Sequence, residues 1–448
     1  MKNIYHSDIY KFNTPIKSYW EDHLSEDLDL EKLSKEISSE IIVIGGGYTG
    51  LSCAINLIEN HNLDVVLVEA GKVGWGASSR NAGFCALPPS KMSVKKLQSM
   101  YGSEETIKFF KNSVEGSNYT KDIIKEYNID CDVIGDSNFV VAHHQNKFKD
   151  IKEQAKVYSE DFGIETKLYS KEEFDEIGHG GTEQFGAFSY KPGFAINPLK
   201  FVNGIAKYAL SKKLKIYEHT KINKVDKDNG DYILRSKEGS IRSKKIVTAT
   251  NGFYQEGLIP KMDGRVLPVI SNIIVTRKLT EDELNQHNFK TYSPIANTKN
   301  LLYYYRKLPD NRILFGTRGD LSGSDQSNLE MSKKMEIFLK NIFPKWSDVN
   351  IKYNWRGLIA LSQKLTPSIG KIDNEEIYYG FGYNGVGVSS APWTGKQLSK
   401  LVFLSNSKEL NISKIYKGLP KKFIFPQLRV LYFKLAVLFY NIKDKLNI

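Results

Sequence analysis

Cysteine is scarce: Cys53, Cys85 and Cys131 are the only three in 448 residues, widely spaced and without a C-x-x-C pair. An odd, scattered set excludes a disulfide framework and fits a reducing compartment, so a cytoplasmic location is expected. No His pair, H-E-x-x-H or Cys/His cluster has metal-ligand spacing, so no metal is expected. No G-x-S-x-G elbow is present, which removes the usual serine-hydrolase arrangement. Met1 to Pro15 lacks a continuous apolar stretch, so no signal peptide is expected. The most apolar stretch, Phe423 to Tyr440, carries Arg429 and Lys434 and falls short of the roughly 20 apolar residues a span requires. Its expected role is packing or subunit contact, with a peripheral membrane helix as the weaker alternative.

Charge of one sign is in modest excess: 63 Lys and Arg against 51 Asp and Glu give +12. The basic residues are mostly Lys and are scattered, as an A/T-rich genome would produce. No basic stripe with interleaved aromatics occurs, so no nucleic-acid partner is expected. With 41% hydrophobic, 25% charged and 12% aromatic residues, the chain is neither disordered nor fibrous. Its length predicts two domains or one two-lobed unit with room for an enclosed site.

Residues 1–39 are polar and charged and read as a surface arm. Glu40 to Ile44 then reads as a buried strand running into Gly45-Gly-Gly-Tyr-Thr-Gly50. Leu51 to Glu59 has helical spacing, and Asp64 to Glu69 is a second strand. In this context G-x-G-x-x-G predicts a dinucleotide site. Gly45 permits the tight turn, Gly47 lets backbone approach a pyrophosphate, and Gly50 lets helix pack on strand. The helix N-terminus offers N–H groups and partial positive charge to the phosphates. Glu69, nineteen residues after Gly50, is placed to accept from ribose hydroxyls and argues against a phosphorylated ribose.

Two further loops bear on the site. Gly74-Trp-Gly-Ala-Ser-Ser-Arg-Asn-Ala-Gly83 is rich in small residues and suits a loop wrapped against a phosphate and a planar ring. Arg80 would neutralise pyrophosphate or fix the loop. Cys85, just beyond, reads as a free buried thiol rather than a covalent attachment point. Tyr379-Gly-Phe-Gly-Tyr-Asn-Gly-Val-Gly-Val388 precedes a helix spanning about Val388 to Phe403, whose N-terminal N–H groups would stabilise negative charge on a bound ring. Helices are also expected over 104–127, 147–163 and 329–343, with hairpin turns at Asn229-Gly230 and Glu238-Gly239.

These three motifs together resemble the D-amino-acid-oxidase/glycine-oxidase superfamily of FAD oxidoreductases, nearest the gamma-glutamylputrescine oxidoreductase branch. Ser18-Tyr-Trp20, Ala249-Thr-Asn251, Tyr304-Tyr-Arg306, Arg312-Ile-Leu-Phe-Gly316, Trp355-x-Gly357 and Pro367-x-Ile-Gly370 add matches in the expected order. The resemblance implies an α/β chain, with a Rossmann-like FAD-binding domain and a mixed-sheet substrate-capping domain. It divides the chain into an arm (1–39), FAD-binding segments (40–125, 195–258, 356–405), capping segments (126–194, 259–355) and an amphipathic tail (406–448). FAD contacts carried over are Gly45, Gly47, Gly50, Glu69, Arg80, Asn81, Ala82, Val225, Thr250, Gly382, Asn384, Gly385, Gly387 and Val388. Val225 rests on a less specific match, the strand before the Asn229 turn. The implied reaction is oxidation of a C–N bond in a small-molecule amine: hydride passes to flavin N5, the imine hydrolyses to an aldehyde, and O2 or another acceptor reoxidises the flavin.

Departures from the pattern shape the substrate reading. Ser79 stands where the branch usually has Gly, and Val386 where relatives often have His. In amino-acid-oxidising relatives an Arg after the Trp-x-Gly-Leu segment clamps the substrate carboxylate; here that place is Ile359. The expectation is therefore an amine whose acid group, if it has one, is distant, with Tyr305 and Arg306 shaping the pocket and Arg306 or Arg318 available to a remote acid. No side-chain general base is evident. The rivals are an α-amino-acid or N-methyl-amino-acid oxidase on the same fold, and a flavin-bearing RNA-modification or partner-binding protein, for which only the net charge speaks.

Overall fold

Three apolar runs, Ile41–Ile44, Val65–Val68 and Ile246–Thr248, are buried along their length, the pattern of parallel strands covered on both faces. They belong to the strands Glu36–Ile44, Val65–Val68 and Ser240–Thr248, which lie side by side and parallel. Lys215–Tyr217 extends this sheet beyond Val65–Val68, and Ile377–Phe381 extends it beyond Ser240–Thr248, both parallel. Ser368–Lys371 closes one edge antiparallel. The hairpin Lys224–Asp228 and Asp231–Arg235 pairs onto Ser240–Thr248. It turns at Asn229 and Gly230, both with positive φ, as the Asn-Gly pair predicts. The computed structural model describes residues 4–406 and 409–446. Residues 1–3, 407–408 and 447–448, parts of the expected arm and tail, lie outside the described residues.

A second sheet of eight strands is mixed. Its order is Ile351–Leu361, Leu267–Thr276, Ile313–Arg318, Tyr304–Lys307, Ile295–Asn297, Asn138–Val141, Ala187–Tyr190 and Thr166–Tyr169. Only the Ile295–Asn297 and Asn138–Val141 pair is parallel. One face packs Phe139, Ile274, Tyr305 and Phe315 against Met335, Leu339, Phe343 and Trp346. The opposite face presents Val140, Ile273, Ala296 and Tyr304 to a cavity. The architecture is thus the α/β arrangement with a parallel dinucleotide-type sheet and a mixed capping sheet that the motifs implied. The strand Ile351–Leu361 runs past the expected segment boundary at 355.

Helices Tyr48–His61, Ser103–Glu126 and Gly387–Leu404 pack together on the parallel sheet. Small residues bring their backbones into contact. A Cβ on Gly395 would lie 2.4 Å from Thr49 O, and one on Gly116 would lie 2.9 Å from Ser389 O. Helices expected over 104–127, 147–163, 329–343 and Val388–Phe403 are found at Ser103–Glu126, Lys147–Phe162, Asp325–Ile342 and Gly387–Leu404.

The N-terminal arm is not the surface segment that its polarity predicts. Tyr5, Ile9 and Trp20 are buried, and the Phe12 ring lies 4.7 Å from that of Trp75, tilted by 46°. Aromatic anchors spaced along a polar segment are diluted in its composition, yet each buries enough surface to hold the chain down. The tail forms a helix, Arg429–Leu446, in which Arg429 donates to Val266 O at 2.6 Å and Phe433 and Val437 pack against Leu267 and Val269, while Leu431, Leu435, Leu438 and Phe439 stay exposed, so packing on this chain accounts for one face only. Among the described residues, no helix is long and apolar enough to cross a membrane.

Candidate active site

One cavity of about 940 Å³ runs between the two sheets, from Glu69 and Ile222 at one end to Tyr304, Arg318 and Ile359 at the other. Its first wall is the glycine turn. Gly45 has φ +113° and donates its N–H to Val68 O at 2.8 Å. A Cβ on Gly47 would meet Ser78 Oγ at 2.7 Å, and one on Gly50 would meet Gly45 O at 1.9 Å. Gly45 and Gly47 line the cavity, whereas Gly50 sits behind them as the packing contact between helix and strand. Gly47 caps the helix Tyr48–His61 with no side chain of its own; Ser78 Oγ accepts from the Tyr48 N–H at 3.1 Å, and the partial positive charge of the first turn faces the cavity wall.

Glu69 follows the second strand and lines the same end. Its carboxylate accepts from Gly46 N–H at 2.7 Å and Gly71 N–H at 3.0 Å. Burial raises its pKa above the usual carboxylate value, against the lowering effect of those N–H donors.

The loop 74–83 forms the middle. Arg80 ends a short helix, Ala77–Arg80, and stacks 3.9 Å over the Trp75 ring. Its Nε donates to Trp75 O at 2.7 Å and its Nη1 to Arg356 O at 3.1 Å. Burial pulls this guanidinium down to about 9. Asn81 ties the loop by donating to Ala77 O and Ser78 O at 3.0 Å and accepting from Gly83 N–H. Ala82 completes this part of the wall. Cys85 faces away from the cavity, with Sγ 3.2 Å from Ser117 Oγ and its thiol pushed up to about 12 by burial.

The third wall is the late glycine loop. Asn384, Gly385, Gly387 and Val388 line the cavity, and the helix Gly387–Leu404 starts there, again without a side-chain cap. Gly382, with φ +85°, lies behind the wall and donates to Asn251 Oδ1 at 3.0 Å. Thr250 lines the opposite side.

A polar, elongated cofactor fits this wall. Among the described residues, the buried atoms Arg80 Nη2, Thr250 Oγ1 and Asn384 Oδ1 have no hydrogen-bond partner. Leaving such groups unsatisfied costs about 1–3 kcal/mol each, so the wall is built for a ligand with acceptors and donors of its own. Two helix N-termini and the acidic Glu69 are the features that a dinucleotide's phosphates and ribose require.

Besides Gly50 and Gly382, which sit behind the wall, three expected positions are placed elsewhere. Val225 pairs with Leu234 in the hairpin and packs in the core, off the cavity. The preceding residues Thr220, Lys221 and Ile222 line the cavity instead. Tyr305 points to the far side of its strand, where its hydroxyl meets His179 Nε2 at 2.8 Å inside the apolar core. Arg306 is buried over Trp20 and donates to Ile196 O at 2.7 Å, so it does not reach the cavity either. Side chains alternate along a strand, and Tyr304 takes the cavity face. Its ring lies over Gly316, where a Cβ would come within 2.1 Å, and its hydroxyl meets Ser271 Oγ at 2.9 Å.

Ile359 does line the cavity, its Cδ1 3.7 Å from the Cβ position of Gly385. Arg318 reaches the same glycine, with Nη2 3.3 Å from that position. Burial lowers the Arg318 pKa. Lys91 also lines this end. Although its side chain opens to the cavity, surrounding protein and the Arg318 charge pull it down to about 7.

The family model for FAD dependent oxidoreductase, DAO, matches residues 40–401. The chain belongs to this family, and FAD is its cofactor. Gamma-glutamylputrescine oxidoreductase of Escherichia coli strain K12 is 27% identical over 435 residues, covering 96% of this chain and 99% of that protein. A probable oxidoreductase OrdL of Haemophilus influenzae is 26% identical, covering 95% and 98%. Among solved structures, L-proline dehydrogenase from P. horikoshii superposes with a TM-score of 0.69 at 20% identity, covering 91% of this chain and 99% of that one. Glycine oxidase from Geobacillus kaustophilus superposes with a TM-score of 0.68 at 16% identity, covering 86% and 99%. The fold of this FAD-dependent oxidoreductase is therefore shared with enzymes of diverse names, and the end of the cavity near Arg318 and Ile359 is where its own chemistry must be sought.

Proposed function

We propose that this oxidoreductase oxidises the C–N bond of a primary or secondary amine in the cytoplasm, giving an imine that water hydrolyses to an aldehyde, with O2 or another acceptor completing turnover. The turn Gly45–Gly50, Glu69, Arg80, Asn81, Ala82, Thr250 and the loop Asn384–Val388 would hold FAD, with Ile222 in the place first given to Val225. Bound FAD supplies the acceptor for the hydride on the carbon beside nitrogen. Tyr304 and Ile359 would shape the space over the reacting carbon, and the capping sheet would keep bulk water out.

The observation that carries this reading is the apolar side chain of Ile359 on the cavity wall beside Gly385. An α-carboxylate held against that side chain would lose hydration without gaining a partner there. A second reading, α-amino-acid oxidation, draws support from Arg318 on the other side of the same glycine. Anaerobic rapid mixing separates them. Putrescine or gamma-glutamylputrescine should bleach the flavin orders of magnitude faster than glycine, sarcosine or D-alanine. Equal or faster bleaching by the α-amino acids would establish the second reading.

A further inference from the structure

The cavity does not end at Glu69. A dinucleotide with its pyrophosphate on the glycine turn and its ribose at Glu69 must carry its adenine beyond that residue. Phe12, Ala70, Lys221, Ile222 and Gln255 line the cavity there. Phe12 belongs to the N-terminal arm, outside the residues 40–401 that the family model matches. Its half-buried ring lies 4.7 Å from that of Trp75 and 6.2 Å from that of Phe253, with Lys221 Nζ 5.5 Å from its centre. Gln255 falls between Phe253, beside the Phe12 ring, and Leu258, which packs in one cluster with Ile222. Among the described residues, the buried Gln255 Oε1 has no hydrogen-bond partner. A side-chain amide offers a donor and an acceptor in one plane, the pair that the adenine amino group and its neighbouring ring nitrogen require.

The arm bridges the two sheets. On the capping side Tyr5 Oη donates to Pro268 O at 2.7 Å, His6 N–H to Ser322 O at 3.0 Å, and Ile9 packs with Ile270 and Leu358. On the loop 74–83, Trp75 Nε1 donates to Thr14 O at 3.2 Å and Trp20 Nε1 to Asn81 O at 3.1 Å. Between Ile9 and Trp20, residues 11–15 are exposed except for Phe12. The arm also crosses Gly71, where a Cβ would lie 2.9 Å from Phe12 O, and Gly71 is the residue whose N–H Glu69 holds.

We propose that Phe12 and Gln255 recognise the adenine of FAD, and that residues 11–15 form a latch that lifts for the cofactor to enter or leave. The assignment rests on the FAD orientation given above, with the ribose at Glu69, and is independent of the amine substrate. Phe12 would cover the base with apolar surface, and the Gln255 amide would pair with its edge. A segment exposed between two buried anchors opens over a few residues without unfolding either sheet. Its closure therefore acts on the rate of cofactor release.

The test uses the full chain and reads cofactor binding rather than turnover. FAD release from the diluted holoenzyme is followed by flavin fluorescence. Phe12→Ala should speed release by about tenfold or more, Phe12→Tyr should keep most of the retention, and the absorbance of bound flavin should not change. The chain freed of flavin is then titrated with FAD, ADP and FMN. Phe12→Ala should weaken FAD and ADP by about 10- to 100-fold, and Gln255→Leu by about 3- to 10-fold. FMN, which has no adenine, should change by less than about twofold in both variants. Equal losses for FAD and FMN would make Phe12 a packing partner of Trp75 alone and overturn the proposal. Unchanged FAD affinity and release in Phe12→Ala overturn it as well. The orientation it rests on fails separately: Glu69→Ala would then also leave ADP binding unchanged, whereas loss of ADP in Glu69→Ala but not in Phe12→Ala overturns the arm assignment only. Limited trypsin digestion reads the latch itself. FAD should slow cleavage after Lys11 and Lys17 by about tenfold or more, and identical cleavage with and without FAD overturns the latch.

Discussion

The Glu69 carboxylate holds the turn it faces: one oxygen takes the Gly46 N–H at 2.7 Å, and the other takes the Gly71 N–H at 3.0 Å. The residue therefore braces the glycine turn and, in the proposed site, would offer its remaining lone pairs to the adenosine ribose. Glu69→Ala removes both and should weaken FAD by about ten- to a hundred-fold, from a loss of about 1.5–3 kcal/mol. Glu69→Gln keeps one acceptor and should fall between. Dilution of the holoenzyme with fluorescence detection of released FAD measures this. The absorbance spectrum of bound flavin should not change, since this end of the cavity is remote from Ile359.

Gly50 should tolerate no side chain. A Cβ there would sit 1.9 Å from Gly45 O, a backbone atom fixed by the turn. Gly50→Ala must push the helix Tyr48–His61 off its strand, at a cost of about 1–3 kcal/mol or more. The expected result is a colourless protein with a lower Tm, whereas Gly102→Ala should keep its flavin, because nothing lies near that Cβ position, and be destabilised only by the backbone strain of about 1–3 kcal/mol that a side chain brings at φ +84°. Flavin content and thermal melts of the two variants give the comparison.

Flavin should leave this protein intact and whole. Cys85 turns its thiol towards Ser117 and away from the cavity, and burial keeps it protonated at neutral pH. Acid or heat should release all the chromophore, with the mass of FAD, and Cys85→Ser should remain yellow. Flavin retained by the denatured polypeptide would contradict this.

Stability should fall with rising pH through a carboxyl group outside the cavity. Glu218 is 2% exposed, accepts from Val73 N–H at 2.6 Å, and is raised by burial to about 7. Unfolding returns it to about 4.3, so the folded state binds the extra proton between these values. Its favourable contribution is full below the lower value and is lost as pH rises through about 7. Glu218→Gln should flatten that part of the profile, and Tm measured from pH 5 to 8 for both proteins would reveal a converging or parallel pair of curves.

The cofactor end was far more legible in the sequence than the substrate end. The Gly45–Gly50 turn and Glu69 are short-range features: strand, turn, helix and strand follow one another, and each glycine has a local steric reason. Val225 illustrates the limit of that logic. The strand before Asn229 was recognised, but the cavity touches the approach to it, Thr220–Ile222, while Val225 pairs with Leu234. In the Tyr304-Tyr-Arg306 run the expectation names Tyr305 and Arg306, neighbours that point to opposite faces of a strand, and Tyr304 is the residue that lines the cavity. A usable signal was present in Gly316: only a glycine opposite could accommodate the Tyr304 ring, and Arg318 then follows two residues later on the same face. Arg306 shares that face by alternation but is captured by Trp20, a residue from the arm whose packing composition alone does not predict.

Thr49 Oγ1 and Tyr383 Oη meet at 2.6 Å across 334 residues of chain. The two glycine loops that face the cavity are therefore made at opposite ends of translation. At about 5–20 residues per second, the first loop waits about 20–70 s for the second to emerge from the ribosome. The complete cavity wall exists only after residues beyond Val388 have been made, so cofactor loading is expected to follow synthesis. Free FAD then acts by mass action on the finished polypeptide. In cells short of riboflavin, the fraction of newly made chains that reach the native state should decline before the activity of older molecules does.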